Sequence, residues 1–297
     1  MDVYLAIDLG AGSGRVIAVC YDAGSIALEQ VYRFDSPATE VNGSLLWDIH
    51  LIWNEIKIGL RKAAQTYGKM IRSVGVDSWG VDYAWMTMDG GLLQWPFCYR
   101  DSRTRGMVEE VGDLLGRDMI FEETGIQFMP INTLYQLHAD RQMTQEPGCF
   151  LMIADVINYW LTGRMVCERT NASTTQLYNP RTQSWSAKLV SGMGWPESIL
   201  PLLIDPGVSL GDLKPEVATE TCLEDVPVIA VGSHDTASAV AGVPASSSSF
   251  AYLSCGTWAL LGAEISEPMI TKAALGHNFT NETGVEGTFR LLKNIAG

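Results

Sequence analysis

A sequence of 297 residues has room for one large domain or two ordinary ones, and a folded chain of that size buries roughly three quarters of the surface its unfolded form exposes. With 47% hydrophobic, 9% aromatic and 18% charged residues, the composition is that of a packed protein and excludes global disorder. Twenty Lys and Arg against 34 Asp and Glu give a formal net charge of −14, the wrong field for nucleic acid or an anionic membrane surface.

The predicted elements begin with a β-meander. Strands at 3–8, 15–21 and 26–34 are separated by the turns Gly10-Ala11-Gly12-Ser13-Gly14 and Asp22-Ala23-Gly24. Asp48 reads as the N-cap of a helix running to about residue 67, with Ile49, Ile52, Trp53, Ile56, Leu60 and Ala63 at helical spacing and Gly68 as its stop. Strands are predicted at 71–77 and 83–88. From 104 to 204 the pattern is mostly helical, clearest at 153–161 and ended by Thr162-Gly163.

An apolar run at 226–231 reads as a buried strand, followed by Gly232-Ser233-His234-Asp235 and a small-residue helix at 236–242. Pro244-Ala245 and four serines then read as an interdomain linker at 244–249. Beyond it, strands at 250–253 and 258–265 flank Ser254-Cys255-Gly256-Thr257 and repeat the opening hairpin pattern. Residues 1–243 therefore read as one lobe and 250–297 as the start of another, too short for a core of its own. The 250–265 hairpin is expected to lack sheet neighbours and to offer an open edge for self-association.

No basic leader precedes the first strand, and no uncharged apolar run reaches the roughly 18 residues of a membrane span. Six scattered cysteines without a C-x-x-C pair read as reduced thiols. These features together predict a cytoplasmic protein.

Three readings compete for the first glycine run. A dinucleotide fingerprint fails because Arg15 stands where a small residue is needed and a strand follows where a helix is required. A P-loop fails because no G-x-x-x-x-G-K-[ST] occurs. A glycine-rich hairpin turn remains, whose N–H groups can approach phosphate oxygens, with Asp8 placed to hold a hydrated Mg²⁺. An ordinary hairpin with a solvated aspartate remains the alternative.

Asp235, between an apolar strand and a helix, suits a general base in phosphoryl transfer, or equally a helix cap. Asp77-Ser78-Trp79-Gly80-Val81-Asp82 and Tyr99-Arg100-Asp101-Ser102-Arg103 are polar and aromatic clusters suited to a sugar or, more plainly, solvated loops.

The segments Ala6-Ile7-Asp8-Leu9-Gly10-Ala11-Gly12-Ser13-Gly14-Arg15, the two clusters just named, Thr170-Asn171-Ala172-Ser173, Ser233-His234-Asp235-Thr236 and Leu292-Lys293-Asn294-Ile295 occur in one order along the chain. They resemble the FGGY carbohydrate kinases, and within them the branch that phosphorylates L-rhamnulose at its primary hydroxyl. The resemblance implies an α/β, ribonuclease-H-like fold of the actin-like ATPase and sugar kinase type, a mixed sheet with helices on both faces, and ATP with Mg²⁺ as co-substrate.

Carried over by motif, it implies that Ala11, Gly12, Ser13, Gly14 and Arg15 form a first phosphate clamp and Thr257 part of a second. It also implies that Asp235 is the base and that Gly80, His234, Asp235, Thr236 and Asn294 contact the sugar. Family members continue past the Lys293-Asn294-Ile295 segment into a full second lobe carrying the adenine pocket. The expectation is therefore of an incomplete nucleotide lobe, with a non-catalytic sugar-binding lobe as the rival reading.

Overall fold

The computed structural model describes residues 1–143, 145–247, 249–256 and 258–296. At its centre is a six-stranded mixed sheet in the spatial order Ser209–Asp212, Pro227–Ile229, Ile71–Ser78, Asp2–Leu9, Ser13–Asp22, Ser25–Asp35. The opening meander forms as its alternation predicts, with Leu9 opposite Gly14 across the first turn. On its other side the Asp2–Leu9 strand pairs in parallel with Ile71–Ser78, so that Asp8 and Asp77 lie side by side.

The period of two divides this sheet into two unlike faces. Val3, Leu5, Ile7, Leu9, Val16, Ala18, Val74 and Val76 are buried in one apolar core with the helices Ile49–Tyr67 and Ile153–Thr162. Each large aliphatic side chain there contributes about 1.5–3 kcal/mol relative to exposure. Ala6, Asp8, Arg15, Ile17 and Asp77 alternate with those residues and line a cleft across the other face, where the short helix Asp235–Ala241 also sits.

The Ile49–Tyr67 helix starts where Asp48 accepts a hydrogen bond from the Leu51 N–H at 2.9 Å. It ends at Gly68, whose φ of +48° a Cβ would strain. Ile153–Thr162 ends in the same way at Gly163, with φ +81°.

The 104–204 region is less helical than its pattern predicts. Met107–Leu115, Arg117–Thr124, Thr133–Ala139 and Ala187–Gly192 are helices, but Cys149–Met152 pairs with Tyr83–Met86 and Leu203–Ile204 with Cys167–Glu168. Apolar runs this short fit a buried strand as well as a helix, and the available pairing partner decides between them. The region encloses a second core around Trp85, Phe121, Leu134, Tyr135 and Phe150.

The closing residues form a four-stranded antiparallel sheet in the order Ala251–Cys255, Ala259–Ile265, Phe289–Ala296, Thr280–Thr283. The hairpin expected to lack sheet neighbours therefore has one, Phe289–Ala296, while Ala251–Cys255 remains an edge. Thr280–Thr283 is wholly polar yet buried.

This sheet is tied to the rest of the chain by hydrogen bonds. Asn281 donates to the Gly125 carbonyl at 3.0 Å, the Thr283 N–H to Ser173 Oγ at 2.9 Å, and the Phe128 N–H to Asn278 Oδ1 at 2.9 Å. Among the described residues no helix is long and apolar enough to cross a membrane, and all six cysteines are free.

Candidate active site

A cleft of about 760 Å³ lies between the inner face of the six-stranded sheet and the closing sheet. Of the residues singled out from sequence, Asp8, Ala11, Gly12, Ser13, Arg15, Gly80, His234, Asp235, Thr236 and Asn294 all line it. Gly14 does not. A Cβ there would stand 2.2 Å from the Phe34 ring, so Gly14 is small to admit Phe34 rather than to face a ligand. Thr257 lies outside the described residues.

In the first turn the Gly10 N–H donates to the Ser13 carbonyl at 3.0 Å, closing a tight reversal. The N–H groups of Ala11 and Gly12 take no protein partner among the described residues. A Cβ built on Gly12 would meet nothing within 4 Å. The turn thus holds backbone donors against open space, the geometry of an anion cradle.

Carboxylates gather below that turn. Asp8 pairs with Arg15 across the hairpin at 2.9 Å. Burial pushes the Asp8 carboxyl above its ordinary value, Arg15 draws it down, and the charge of Asp235 pushes it up again. Burial, then the charges of Asp8 and Asp235, raise the half-buried Asp77 well above the usual carboxylate range. Sequence reading placed Asp77 in a sugar cluster and missed this role. Its signal was present, because two strands that pair in parallel each carry an aspartate one residue before their ends. Among the described residues no three acidic, histidine or cysteine side chains form a closed metal cage.

Asp235 opens its helix, but it does not cap it. The flanking cap residue is His234, and Asp235 Oδ1 accepts from the adjacent Thr236 N–H at 2.5 Å and hydroxyl at 3.1 Å. Its part-exposed side chain borders the cleft, with His234 Nε2 3.4 Å away. The loop that carries both residues is anchored from beneath. Glu168, fully buried, accepts from the Ser233 N–H and hydroxyl, each at 2.8 Å, and the His234 N–H donates to Thr170 Oγ1 at 3.1 Å.

His234 is held from the closing sheet. Its Nδ1 lies 3.0 Å from Arg290 Nη2 and 3.2 Å from Glu282 Oε2, and Arg290 and Glu282 pair at 2.9 Å. Burial pushes the Glu282 carboxyl up, but the Arg290 charge and the His234 contact hold it below its ordinary value. Neither residue was legible as a site residue, since the contact joins positions 56 apart in sequence.

The loop after Ile71–Ser78 is rigidly built. Asp82, fully buried, accepts from the Trp47 and Trp79 indoles at 2.7 and 3.0 Å, the Tyr99 N–H at 3.1 Å and Gln136 Nε2 at 2.9 Å. Burial outweighs these four donors, and the carboxyl is pushed up to about 6. Val81 sits at φ +67°, a conformation that costs a β-branched residue about 1–3 kcal/mol.

The second predicted cluster divides. Tyr99 lines the cleft, its ring tilted 53° to that of Trp258 with centroids 6.3 Å apart, whereas Arg103 turns away to pair with Asp140.

The sequence profile described as "FGGY family of carbohydrate kinases, N-terminal domain" matches residues 3–242. A rhamnulokinase of Bacteroides thetaiotaomicron is 44% identical over 298 residues, covering 99% of this chain and 61% of that protein. One of Enterococcus faecalis is 39% identical, with 99% and 60% covered. The chain thus spans about 60% of the length of these relatives.

Solved structures share the fold. A ligand-bound xylulose kinase from Lactobacillus acidophilus superposes with a TM-score of 0.88 at 19% identity, over 99% of this chain and 60% of that one. A Plasmodium falciparum glycerol kinase with ADP gives 0.84 at 18%, over 100% and 61%. The α/β, actin-like sugar kinase fold, the matched profile and the ordered motifs agree, and the chain belongs to the FGGY family of carbohydrate kinases.

Proposed function

We propose that this chain carries the sugar site, the first phosphate clamp and the base of a kinase that transfers the γ-phosphoryl group of ATP to the primary hydroxyl of L-rhamnulose. The observation that carries the reading is that the Gly10–Gly12 turn, with its free donors, and Asp235 border one cleft. Relatives named as rhamnulokinases support the choice of sugar.

The residues assign themselves to roles by position. The sugar's primary hydroxyl meets Asp235, whose work is to orient the hydroxyl and accept its proton as the bond to phosphorus forms. His234, Thr236, Gly80 and Asn294 surround the sugar. The Ala11 and Gly12 N–H groups and Arg15 hold phosphate oxygens, and Thr257 belongs to the same proposal as part of a second clamp. Asp8 and Asp77 fit Mg²⁺, since two neighbouring carboxylates raised first by burial, with the charge of Asp235 adding to both and that of Asp8 adding to Asp77, favour a cation, and this ion needs few protein ligands beside water and phosphate. Bound there, Mg²⁺ would neutralise charge on the transferring phosphates. The linker at 244–249 is proposed to separate this lobe from a nucleotide lobe beginning at 250, in a cytoplasmic enzyme.

The test is ADP release from Mg·ATP by the product of the complete reading frame, with L-rhamnulose and other ketoses as acceptors. Strong preference for a different sugar would refute the assignment. A binding lobe without turnover is the rival reading. It predicts that the 297-residue chain binds L-rhamnulose yet transfers phosphate several orders of magnitude more slowly than an intact kinase, as expected when aligned reactants lose their positioning.

A further inference from the structure

We propose that Val81 selects the sugar by offering an apolar wall to a methyl terminus, so that the site takes a deoxy-ketose in preference to the same ketose with a terminal hydroxymethyl group. The inference rests on the ketose kinase reading above and deepens it.

Among the described residues Val81 is the one β-branched residue with positive φ, at +67°. Glycine or asparagine would adopt that conformation at little cost. What valine adds at this position is its side chain and not the turn. The strained peptide is clamped on both sides, which keeps the side chain in one place. The Val81 N–H donates to Thr174 Oγ1 at 3.0 Å, and its carbonyl accepts from Thr133 Oγ1 at 2.6 Å and Gln136 Nε2 at 3.2 Å. Thr174 is also packed against Gly80, where a Cβ would stand 2.9 Å from its methyl group.

Val81 lines the cleft together with Ile126 and Ile131, with Gln127, Asn132 and Thr174 as polar neighbours, whereas the charged lining, Asp8, Arg15, Asp77, Asp235 and Glu282, comes from other elements. L-Rhamnulose has the same division. One end of its carbon chain is the primary hydroxyl that reacts, and the other is a methyl group. With the hydroxyl held at Asp235, the methyl end is the part that gains from an aliphatic surface. A hydroxyl added at that end would lose water against valine without gaining a partner. Apolar pockets discriminate against such an added hydroxyl by up to about a hundredfold.

The experiment is calorimetric titration of the 297-residue chain with L-rhamnulose and with L-fructose, which differ only by hydroxyl for hydrogen at the terminal carbon. The unsubstituted chain is expected to bind L-rhamnulose at least about tenfold more tightly. Val81→Asn keeps the left-handed backbone, places an amide at the wall, and is expected to bring the two affinities within about threefold with no fall in melting temperature. Val81→Ala keeps the strain, removes the wall, and is expected to narrow the ratio as well, so it decides the matter if the asparagine variant does not fold. An unchanged ratio in the folded variants, or equal binding of both sugars by the unsubstituted chain, would overturn the role of Val81 alone. Binding of neither sugar by the unsubstituted chain would overturn the ketose reading and this inference together.

Discussion

At Gly12 the open space beside the backbone is what the proposed phosphate contact requires. No atom lies within 4 Å of a built Cβ there, and the residue has no positive φ to relieve. Gly12→Val should therefore leave stability within about 0.5 kcal/mol of the parent, while its branched side chain occupies the space through which phosphate oxygens reach the turn. Nucleotide affinity, measured by titration with Mg·ATP, should fall at least tenfold. Unchanged affinity would mean that the turn is an ordinary hairpin.

Asp82 shows the opposite case, a residue whose role is structural. Removing its carboxylate in Asp82→Ala strands two buried indole N–H groups, a backbone N–H and the Gln136 amide. A loss of about 3 kcal/mol or more in chemical denaturation is expected. Its pH dependence has a definite sign. Burial holds the folded carboxyl near 6 against an ordinary value of 3.8, so between those values the folded protein binds more protons than the unfolded one. The contribution of Asp82 to stability falls as pH rises through that window. A wild-type-minus-variant stability difference that grows between pH 4 and 6 would contradict the assignment.

The legible residues were those whose meaning is local. Asp48 and Gly163 announce helix ends by their own chemistry, and the glycine run announces its turn. Gly14 was misread because a glycine made necessary by Phe34, across the sheet, looks in sequence like one made necessary by a ligand. Glu282 and Arg290 were missed for the same reason, since a buried ion pair between distant positions leaves no periodic trace.

Among elements, the closing sheet departs most from its sequence pattern. Thr280–Thr283 buries four polar residues, so the alternation that marks a half-buried strand is absent there, and the 250–265 hairpin reads as unpaired when its true neighbour, Phe289–Ala296, goes unread beside it. The strand is held by hydrogen bonds and by the Arg290–Glu282 pair more than by apolar area. Arg290→Ala leaves Glu282 buried without its cation and is expected to cost about 3–5 kcal/mol. A loss below 1 kcal/mol would show that the closing sheet is not docked as described. The pairing of Ala259–Ile265 on both sides predicts slow amide exchange for its hydrogen-bonded residues, and slower exchange than in the Ala251–Cys255 edge. Uniformly fast exchange across both strands would instead support an unpaired hairpin.

On the scale of the whole molecule, the sheet works by having two dissimilar faces. One is sealed by two helices and supplies rigidity; the other exposes strand ends on which Asp8, Asp77 and the Asp235 loop converge. A net charge of −14 offers no broad positive surface, but it is compatible with the proposed ATP site, in which backbone donors, Arg15 and a cation would meet the phosphates. Asp235 and the glycine turn are proposed to serve one reaction on L-rhamnulose. This is tested most directly by ADP release from the complete reading frame product and its Asp235→Asn variant. The account predicts that L-rhamnulose is the preferred ketose and that the variant loses about 10²- to 10⁴-fold in kcat with sugar affinity nearly unchanged. Full kcat in the variant, or a strong preference for another sugar, would contradict it.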